Sequence, residues 1–233
     1  MELKILTLSI ILVATGFFLT LVLYKFSYQR LKETNLHVKI FFWLPITLFF
    51  LFTITAETNI RILILAIIGM LMLYEFFLNW NRRLIWYPLI ILLGLAHFLL
   101  FGGVENKDTL FIYIAFATVI ADVIAFFFGN LGRLNLPAFI NPNKKWEGVA
   151  GEILGAFLGI LLLNYVLGLN YSWLLFLPIG IGAAVGDMVN SIAKRINGIK
   201  NWSNLIPGHG GFLDRFCSLA GSVTLVYYYI KLF

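Results

Sequence analysis

Polar and charged residues are concentrated in the stretch SIAKRINGIKNWSNLIPGHGGFLDRFC, residues 191–217 of an otherwise apolar chain. Glycines surround His209 in PGHGG, and a turn of this kind lets backbone N–H groups converge on an anion. The sequence FLDRF follows and predicts a helix whose N-terminus favours phosphate. In its first turn Asp214 could hold a metal ion and Arg215 could bind phosphate through paired hydrogen bonds. GHGG alone also fits a plain loop, whereas its combination with Asp-Arg and the earlier Ser-x-x-Lys-Arg is far more specific.

A second set of polar residues shares one face of the preceding element. If residues 182–195 are helical, Asp187, Ser191 and Lys194 or Arg195 recur every three or four positions and line one face. That face presents an anion, a hydroxyl and cations in turn. Such a series would suit a divalent metal ion that bridges to phosphate oxygens.

Carboxylates within apolar segments are the next anomaly. Asp122, Glu152 and Asp187 each lie inside a run long enough to cross a bilayer. An ionisable group at that depth marks a functional site facing protein or water, unless it is a structural carboxylate paired with a nearby Lys or Arg.

The sequence GNLGRLNLPAFINPNKKWEG, residues 129–148, repeats the pattern of glycines, a turn and basic residues before a helix. Lys144 and Lys145 are either residues that set membrane orientation or phosphate contacts. Trp146 by itself is typical of an anchor at the membrane interface.

The composition indicates what must position these residues. The chain is 61% hydrophobic and only 12% charged, with a mean hydropathy of +0.93. It is therefore predicted to be an all-α, polytopic membrane bundle of about eight helices, near 3–25, 38–56, 60–79, 84–102, 109–128, 148–168, 172–193 and 212–231. The net charge of +6 fits the positive-inside bias, with attraction of anionic lipid or nucleotide as the other explanation. Nothing in the sequence suggests nucleic-acid binding.

Positive charge alternates between successive connections, and this predicts an orientation. Basic residues follow the first, third, fifth and seventh spans, which places both long polar loops in the cytoplasm and both termini outside. We expect one membrane domain, with residues 1–105 as lipid-facing scaffold and residues 106–233 as the region that carries the polar site and its two loops. The first apolar run is long and has no small-residue cleavage site after it, so a membrane helix is expected rather than a signal peptide.

The pattern from about residue 120 to 220 resembles the phosphatidate cytidylyltransferases, or CDP-diacylglycerol synthases. Their signature reads Ser-x-x-Lys-Arg, four residues, Lys-Asp, then His-Gly-Gly-x-x-Asp-Arg-x-Asp. The matching positions here are Ser191, Lys194, Arg195, Lys200, His209, Gly210, Gly211, Asp214 and Arg215. The stretches GDMVNS, NPNKKWEG and ADVIAFFFGNLG also resemble family motifs, whereas the first hundred residues resemble the family only in being apolar.

Three positions depart from the family pattern. Asn190, Asn201 and Cys217 stand where the family has Glu, Asp and Asp. Each change removes a carboxylate expected near metal and nucleotide, although Asp122, Asp187 and Asp214 remain.

The resemblance implies that a phosphatidate oxygen attacks the α-phosphorus of CTP and releases pyrophosphate. It assigns Mg²⁺, with a second cation left open, to Asp187, Asp214 and Asp122. It assigns the phosphates to a basic set and its glycines: Lys194, Arg195, Lys200, Arg215, Ser191, Gly210 and Gly211, assisted by Lys144 and Lys145. His209 would bind a phosphate or orient a neighbour. The protein would be integral to the cell (inner) membrane, and its oligomeric state, a homodimer included, is left open.

Two alternatives stay open at this point. A divergent relative could act on another lipid acceptor, as a CTP-dependent lipid kinase, or as a weakly active regulator. A transporter would also explain carboxylates within spans, but the polar residues gather in two loops on one side and no inverted repeat is visible.

Overall fold

The computed structural model describes residues 2–23, 45, 48–49, 52, 56–97 and 107–232. Helices account for most of these residues, and the described part of the chain contains no strand beyond isolated bridges. The long helices are α1 (Glu2–Leu23), α2 (Thr58–Leu78), α3 (Trp86–Ala96), α4 (Lys107–Leu131), α5 (Trp146–Leu167), α6 (Phe176–Ile196) and α7 (Phe212–Leu232). Short 3₁₀ helices at Arg82–Leu84 and Trp173–Leu175 precede α3 and α6. The predicted all-α class is confirmed.

Three of the described helices are long and apolar enough to cross a membrane: Thr109–Leu131, Trp146–Leu167 and Trp173–Ile196. Shorter apolar helices lie at Leu6–Phe18 and Ile62–Leu78. The protein is therefore an α-helical membrane protein, as the composition predicted. Most of the predicted span near 38–56 and the end of the one near 84–102 lie outside the described residues.

Helix α7 lies where the sequence predicted it, but it is less apolar than a membrane span. It has the predicted bounds, yet it is not among the helices apolar enough to qualify as a span. Charged residues in its first and last turns, together with Ser218 and Ser222 along its length, lower its hydropathy. Both serines are buried inside the bundle. Helix α7 is thus a central packing element, in contact with α2, α3, α4 and α6.

Small residues bring the helix backbones together. A Cβ at Gly155 of α5 would lie 2.7 Å from the Cα of Ala121 in α4, and one at Gly151 would lie 2.9 Å from the Cα of Ala125. A Cβ at Gly182 of α6 would similarly lie 2.6 Å from the Cα of Ser222 in α7. Close backbone approach through small residues is the usual way in which membrane helices associate. It holds α4 close against α5 and α6 close against α7.

The polar residues gather at one end of the bundle. There α2, α4 and α6 end, α3, α5 and α7 begin, and the connections between them meet. A buried apolar cluster below the 197–211 loop contains Met72, Tyr87, Trp202 and Leu213, and it joins α2 and α3 to α7. The first part of the chain therefore supports the polar loop directly.

Candidate active site

Asp214 is the most heavily bonded side chain of the site. Its Oδ1 accepts a hydrogen bond from Lys194 Nζ at 2.6 Å and a longer one from Asn190 Nδ2 at 3.5 Å. Its Oδ2 accepts from the backbone N–H groups of Trp202 at 2.9 Å and Gly211 at 3.0 Å. A carboxylate offers about four lone-pair positions, so these donors saturate Asp214. The carboxylate holds α6, the loop and α7 together.

Glu75, in the last turn of α2, occupies the N-terminus of α7. Its Oε1 accepts from the Phe212 N–H at 2.8 Å, its Oε2 from the Leu213 N–H at 2.9 Å, and Ser203 Oγ donates to Oε1 at 2.7 Å. Together with Asp214, which accepts from Gly211, this carboxylate takes the first N–H groups of the helix. The sequence suggested these donors for phosphate, whereas in the structure they donate to two carboxylates. A free helix N-terminus leaves its first N–H groups unpaired, and here two carboxylates have filled that role.

Asn190 connects the site to the apolar cluster beneath it. Its Oδ1 accepts hydrogen bonds from the Tyr87 hydroxyl at 2.6 Å and from Trp202 Nε1 at 2.8 Å. The rings of Tyr87 and Trp202 stack at 5.0 Å. An amide can accept these two bonds and still donate to Asp214, whereas a carboxylate could only repel it. The departure at position 190 is thus accommodated by a hydrogen-bonded core.

The ammonium group of Lys144 pairs with one carboxylate and is acted on electrostatically by two others, from different helices. Lys144 reaches from the 132–145 loop to form an ion pair with Asp187 of α6. Glu152 of α5 and Asp122 of α4 also act electrostatically on it. Burial lowers the pKa of Lys144, and the negative charge of Glu152 opposes that shift. Oε2 of Glu152 is buried and has no hydrogen-bond partner among the described residues.

The two adjacent lysines of NPNKKWEG point to different partners. Lys145 Nζ donates to the Gly132 carbonyl within its own loop, whereas Lys144 crosses to α6. Asn141 Oδ1 accepts a hydrogen bond from Arg195 Nη2 at 3.3 Å and so joins the 132–145 loop to the end of α6. The two loops that the sequence analysis singled out therefore meet in the structure.

His209 lies within a tight turn built by its glycines. The Ile206 N–H donates to the Gly210 carbonyl at 2.9 Å, and the His209 N–H donates to the Ile206 carbonyl at 2.9 Å. Gly208 and Gly210 have φ values of +74° and +84°, a region that favours glycine. The imidazole is buried, with Nδ1 3.3 Å from the Pro207 carbonyl oxygen. The ring is therefore directed into the loop rather than toward solvent.

The remaining residues that were predicted to bind phosphate differ in their exposure to solvent. Arg195, Lys200 and Arg215 are exposed at the end of the bundle, and Arg215 acts electrostatically on Asp122. Ser191 is buried at 2% exposure, so the predicted hydroxyl of the polar face lies inside the helix packing. Residues 182–195 are helical as predicted, but Asp187 and Lys194 turn toward Lys144 and Asp214 respectively.

The predicted metal ligands do not converge as a set. Within the described ranges no group of three or more His, Cys, Asp or Glu is arranged to hold a metal ion. Asp214 already accepts hydrogen bonds from four donors, with which a metal ion would have to compete. Asp187, with its side chain 28% exposed, and Asp122, which is exposed, keep the hard oxygen atoms that Mg²⁺ prefers.

Glu75, Tyr87 and Trp202 were not predicted from the sequence to belong to the site. Glu75 carries the same signal that identified Asp122 and Glu152, a carboxylate inside an apolar run, and could have been found by it. Tyr87 and Trp202 carry no such signal, because an aromatic residue near a membrane boundary is common. Only the fold shows that they stack beneath Asn190.

Fold and site together define a helical membrane protein with a polar, mixed-charge site where its helix ends meet. The chain belongs to the cytidylyltransferase family, whose sequence model matches residues 3–233. The match includes the first hundred residues, where the sequence analysis found only apolar character in common.

Three relatives of the chain are all named phosphatidate cytidylyltransferase, which is consistent with this family. The chain is 40% identical over 136 residues to a phosphatidate cytidylyltransferase of Synechocystis sp., a match that covers 55% of this chain and 46% of the relative. It is 36% identical over 129 residues to that of Bacillus subtilis, covering 52% and 48%. The match to that of Aquifex aeolicus is 33% identical over 175 residues, covering 71% and 64%. The chain thus spans less than two thirds of the length of these curated relatives.

Proposed function

We propose that this protein transfers the cytidylyl group of CTP to phosphatidate or a similar lipid phosphate, forming CDP-diacylglycerol and pyrophosphate. The observation that carries the proposal is the meeting of the two family-like loops at one end of the bundle. There Arg195 bonds Asn141, Lys144 pairs with Asp187, and Lys194 pairs with Asp214. The names of the relatives support the choice of substrates.

The reaction requires charge neutralisation and in-line positioning rather than a protein nucleophile. A phosphate oxygen of the lipid forms a bond to the α-phosphorus of CTP while the bond from that phosphorus to the bridging oxygen breaks. The leaving group is pyrophosphate. Exposed Arg195, Lys200 and Arg215 supply positive charge for the phosphates at the surface of the site. Lys144 and Lys194 lie deeper, each oriented by a carboxylate.

The residues present could hold a divalent cation at Asp122 and Asp187 but not at Asp214. Asp122 and Asp187 offer oxygen ligands, and Oε2 of buried Glu152, which has no hydrogen-bond partner among the described residues, adds a further oxygen atom nearby. Asp214 does not fit, because its lone pairs already accept four hydrogen bonds. We therefore assign Mg²⁺ to Asp122 and Asp187. When bound, the ion offsets charge on the triphosphate and the leaving pyrophosphate.

We further propose that the site faces the cytoplasm from the cell (inner) membrane. Basic residues concentrate in the connections at this end of the bundle, in accordance with the positive-inside rule. CTP would then enter from the aqueous side. The lipid substrate would enter laterally from the bilayer with its phosphate at the level of the site.

Turnover of radiolabelled CTP by the purified protein in detergent, with phosphatidate and Mg²⁺, tests the proposal. A labelled CDP-lipid is the expected product. Arg215→Gln removes an exposed cation of the site and should reduce its formation at least tenfold, the size expected for loss of a charge-assisted phosphate contact. Arg82→Gln makes the same change at an exposed position outside the site and should leave turnover unchanged.

Two results would count against the proposal. CTP binding without any CDP-lipid product, over a panel of lipid phosphates, would point to another reaction or to a regulatory relative. Absence of both product and CTP binding would exclude a nucleotide site altogether.

A further inference from the structure

We infer that Glu75 is a positioning residue for the nucleotide site: from α2 it sets where the 203–213 segment and the start of α7 lie. This inference rests on the proposed function. Glu75 does not belong to the polar loops that carry the signature-like residues. It acts across the bundle, from an element that the sequence analysis treated as scaffold.

The hydrogen bonds of Glu75 are short, and both of its carboxylate oxygens accept at least one. It is fully buried at 0% exposure, and it accepts from Phe212 N–H, Leu213 N–H and Ser203 Oγ at 2.7 to 2.9 Å. Hydrogen bonds to an ionised carboxylate are about twice as strong as those between neutral groups. The positive end of the α7 dipole adds to the stabilisation of this negative charge.

The fit of the loop around this carboxylate is tight. A Cβ at Gly211 would collide with both carboxylate oxygens of Glu75. Gly211 therefore has to be glycine for α7 to approach α2. Asn79, one helical turn after Glu75, donates from Nδ2 to the Trp202 carbonyl at 2.6 Å and so holds the loop from the same helix end.

What Glu75 positions is the charged start of α7. Asp214 lies two residues after Phe212, and Arg215 lies three residues after Phe212. Asp214 in turn orients Lys194 through their ion pair. Because a helix turn is rigid, a shift of its first N–H groups moves both side chains together. Removal of the Glu75 contact should therefore weaken phosphate binding by these cations without touching any of them.

Glu75→Gln is the test substitution, since it keeps the size of the side chain. A glutamine accepts at one atom only, and its NH₂ group would face an N–H donor of α7. Glu57→Gln is the matched control, because Glu57 is exposed at the opposite end of the same helix and its side chain makes no cap hydrogen bond. Ser203→Ala removes one of the three donors and gives a milder version of the same perturbation.

The measurement is the KM for CTP and kcat of each purified variant, with thermal unfolding recorded for all. We expect Glu75→Gln to raise the KM for CTP about tenfold, the effect of losing roughly one charge-assisted hydrogen bond. Ser203→Ala should raise it less, and the double variant should match Glu75→Gln alone, since both act through one contact. Glu57→Gln should match wild type. If Glu75→Gln does not fold, Ser203→Ala decides the question alone.

The outcomes separate this inference from the proposed function. A folded Glu75→Gln variant with wild-type KM would overturn the inference and leave the proposed function standing. Wild-type protein that binds CTP without turnover would overturn the proposed function. The dissociation constants of CTP for Glu75→Gln and Glu57→Gln would then decide the inference. Wild-type protein that binds no CTP would overturn both.

Discussion

The ammonium group of Lys194 lies 2.6 Å from Oδ1 of Asp214 and joins the last turn of α6 to the first turn of α7. Both side chains are largely shielded from water, at 16% and 3% exposure. Lys194 and Asp214 match the family signature, and their ion pair also holds two helices together. A substitution at either one should alter stability as well as turnover.

Lys194→Met tests this double role. It leaves the Asp214 carboxylate buried with one donor fewer and no adjacent cation, and breaking a buried ion pair in this way costs about 3 kcal/mol. We expect the free energy of unfolding in detergent to fall by about that amount. Lys231→Met, at the exposed end of α7, should change it by less than about 0.5 kcal/mol. Equal stability of the two variants would show that the Lys194–Asp214 pair contributes no net stabilisation.

Asn190→Asp should be destabilising although the two side chains have nearly the same shape. The substitution replaces the amide that donates to Asp214 with a second carboxylate in a fully buried position. Loss of a buried donor costs about 1 to 3 kcal/mol, and like-charge repulsion adds to it. Thermal unfolding measures the loss, and Trp202 fluorescence should change because its indole donates to Asn190.

Asn201→Asp is the matched control for that substitution. It also places a carboxylate where the family signature has one, but at an exposed position. We expect wild-type stability and at most a twofold change in turnover. If Asn201→Asp were as harmful as Asn190→Asp, burial next to Asp214 could not be the cause.

Much of the fold was predictable from the sequence because a long apolar run in a membrane has few possible structures other than a helix. Every predicted span that falls on described residues coincides with a helix. The membrane imposes this, since each backbone group has to be satisfied within its own segment. The two polar loops were expected on one side of the membrane, and a hydrogen bond from Arg195 to Asn141 joins them in the structure. The character of α7 was less predictable, because its polar residues are buried in contacts with other helices.

Side-chain partners could not be predicted, because they depend on how distant segments pack. Nothing local to Glu75 shows that it faces Phe212, 137 positions later. The four donors to Asp214 could not be predicted either, because they come from three separate parts of the chain. The glycines of PGHGG do form a turn, and within it the Gly211 N–H donates to the Asp214 carboxylate while the His209 N–H donates to the Ile206 carbonyl.

The helix contact between α4 and α5 should tolerate no added methyl group at Gly155. A Cβ there would lie 2.7 Å from a backbone Cα of Ala121, so the helices would have to separate. Overpacking of this kind typically costs about 1 to 3 kcal/mol, and it would also move Asp122 relative to Glu152. We expect Gly155→Ala to lower both thermal stability and turnover.

Gly69→Ala provides the comparison for Gly155→Ala. Its new Cβ would lie 3.6 Å from Leu92 Cδ2, an ordinary van der Waals contact with a flexible side chain. Alanine also favours the helix by nearly 1 kcal/mol relative to glycine. Stability should therefore be unchanged or slightly higher. Equal losses in both variants would mean that helix separation is not what Gly155→Ala causes.

The last prediction concerns competition between Lys144 and a divalent cation for Asp187. The two partners form an ion pair, and the carboxylates of Asp122 and Glu152 act on the same ammonium group. A cation bound by Asp122 and Asp187 has to share or displace this contact. Lys144→Met should therefore tighten Mg²⁺ binding, whereas Asp187→Asn should weaken it.

Calorimetric titration of Mg²⁺ into the protein without nucleotide measures both effects. We expect changes of about tenfold in opposite directions, since each substitution removes one full charge next to the ion. Glu57→Gln, far from the site, should behave as wild type. Because Asp214 is saturated by its own donors, Asp214→Asn should alter Mg²⁺ affinity less than Asp187→Asn does. The reverse order would show that Asp214 exchanges its hydrogen bonds for the metal ion and would overturn the assignment to Asp122 and Asp187.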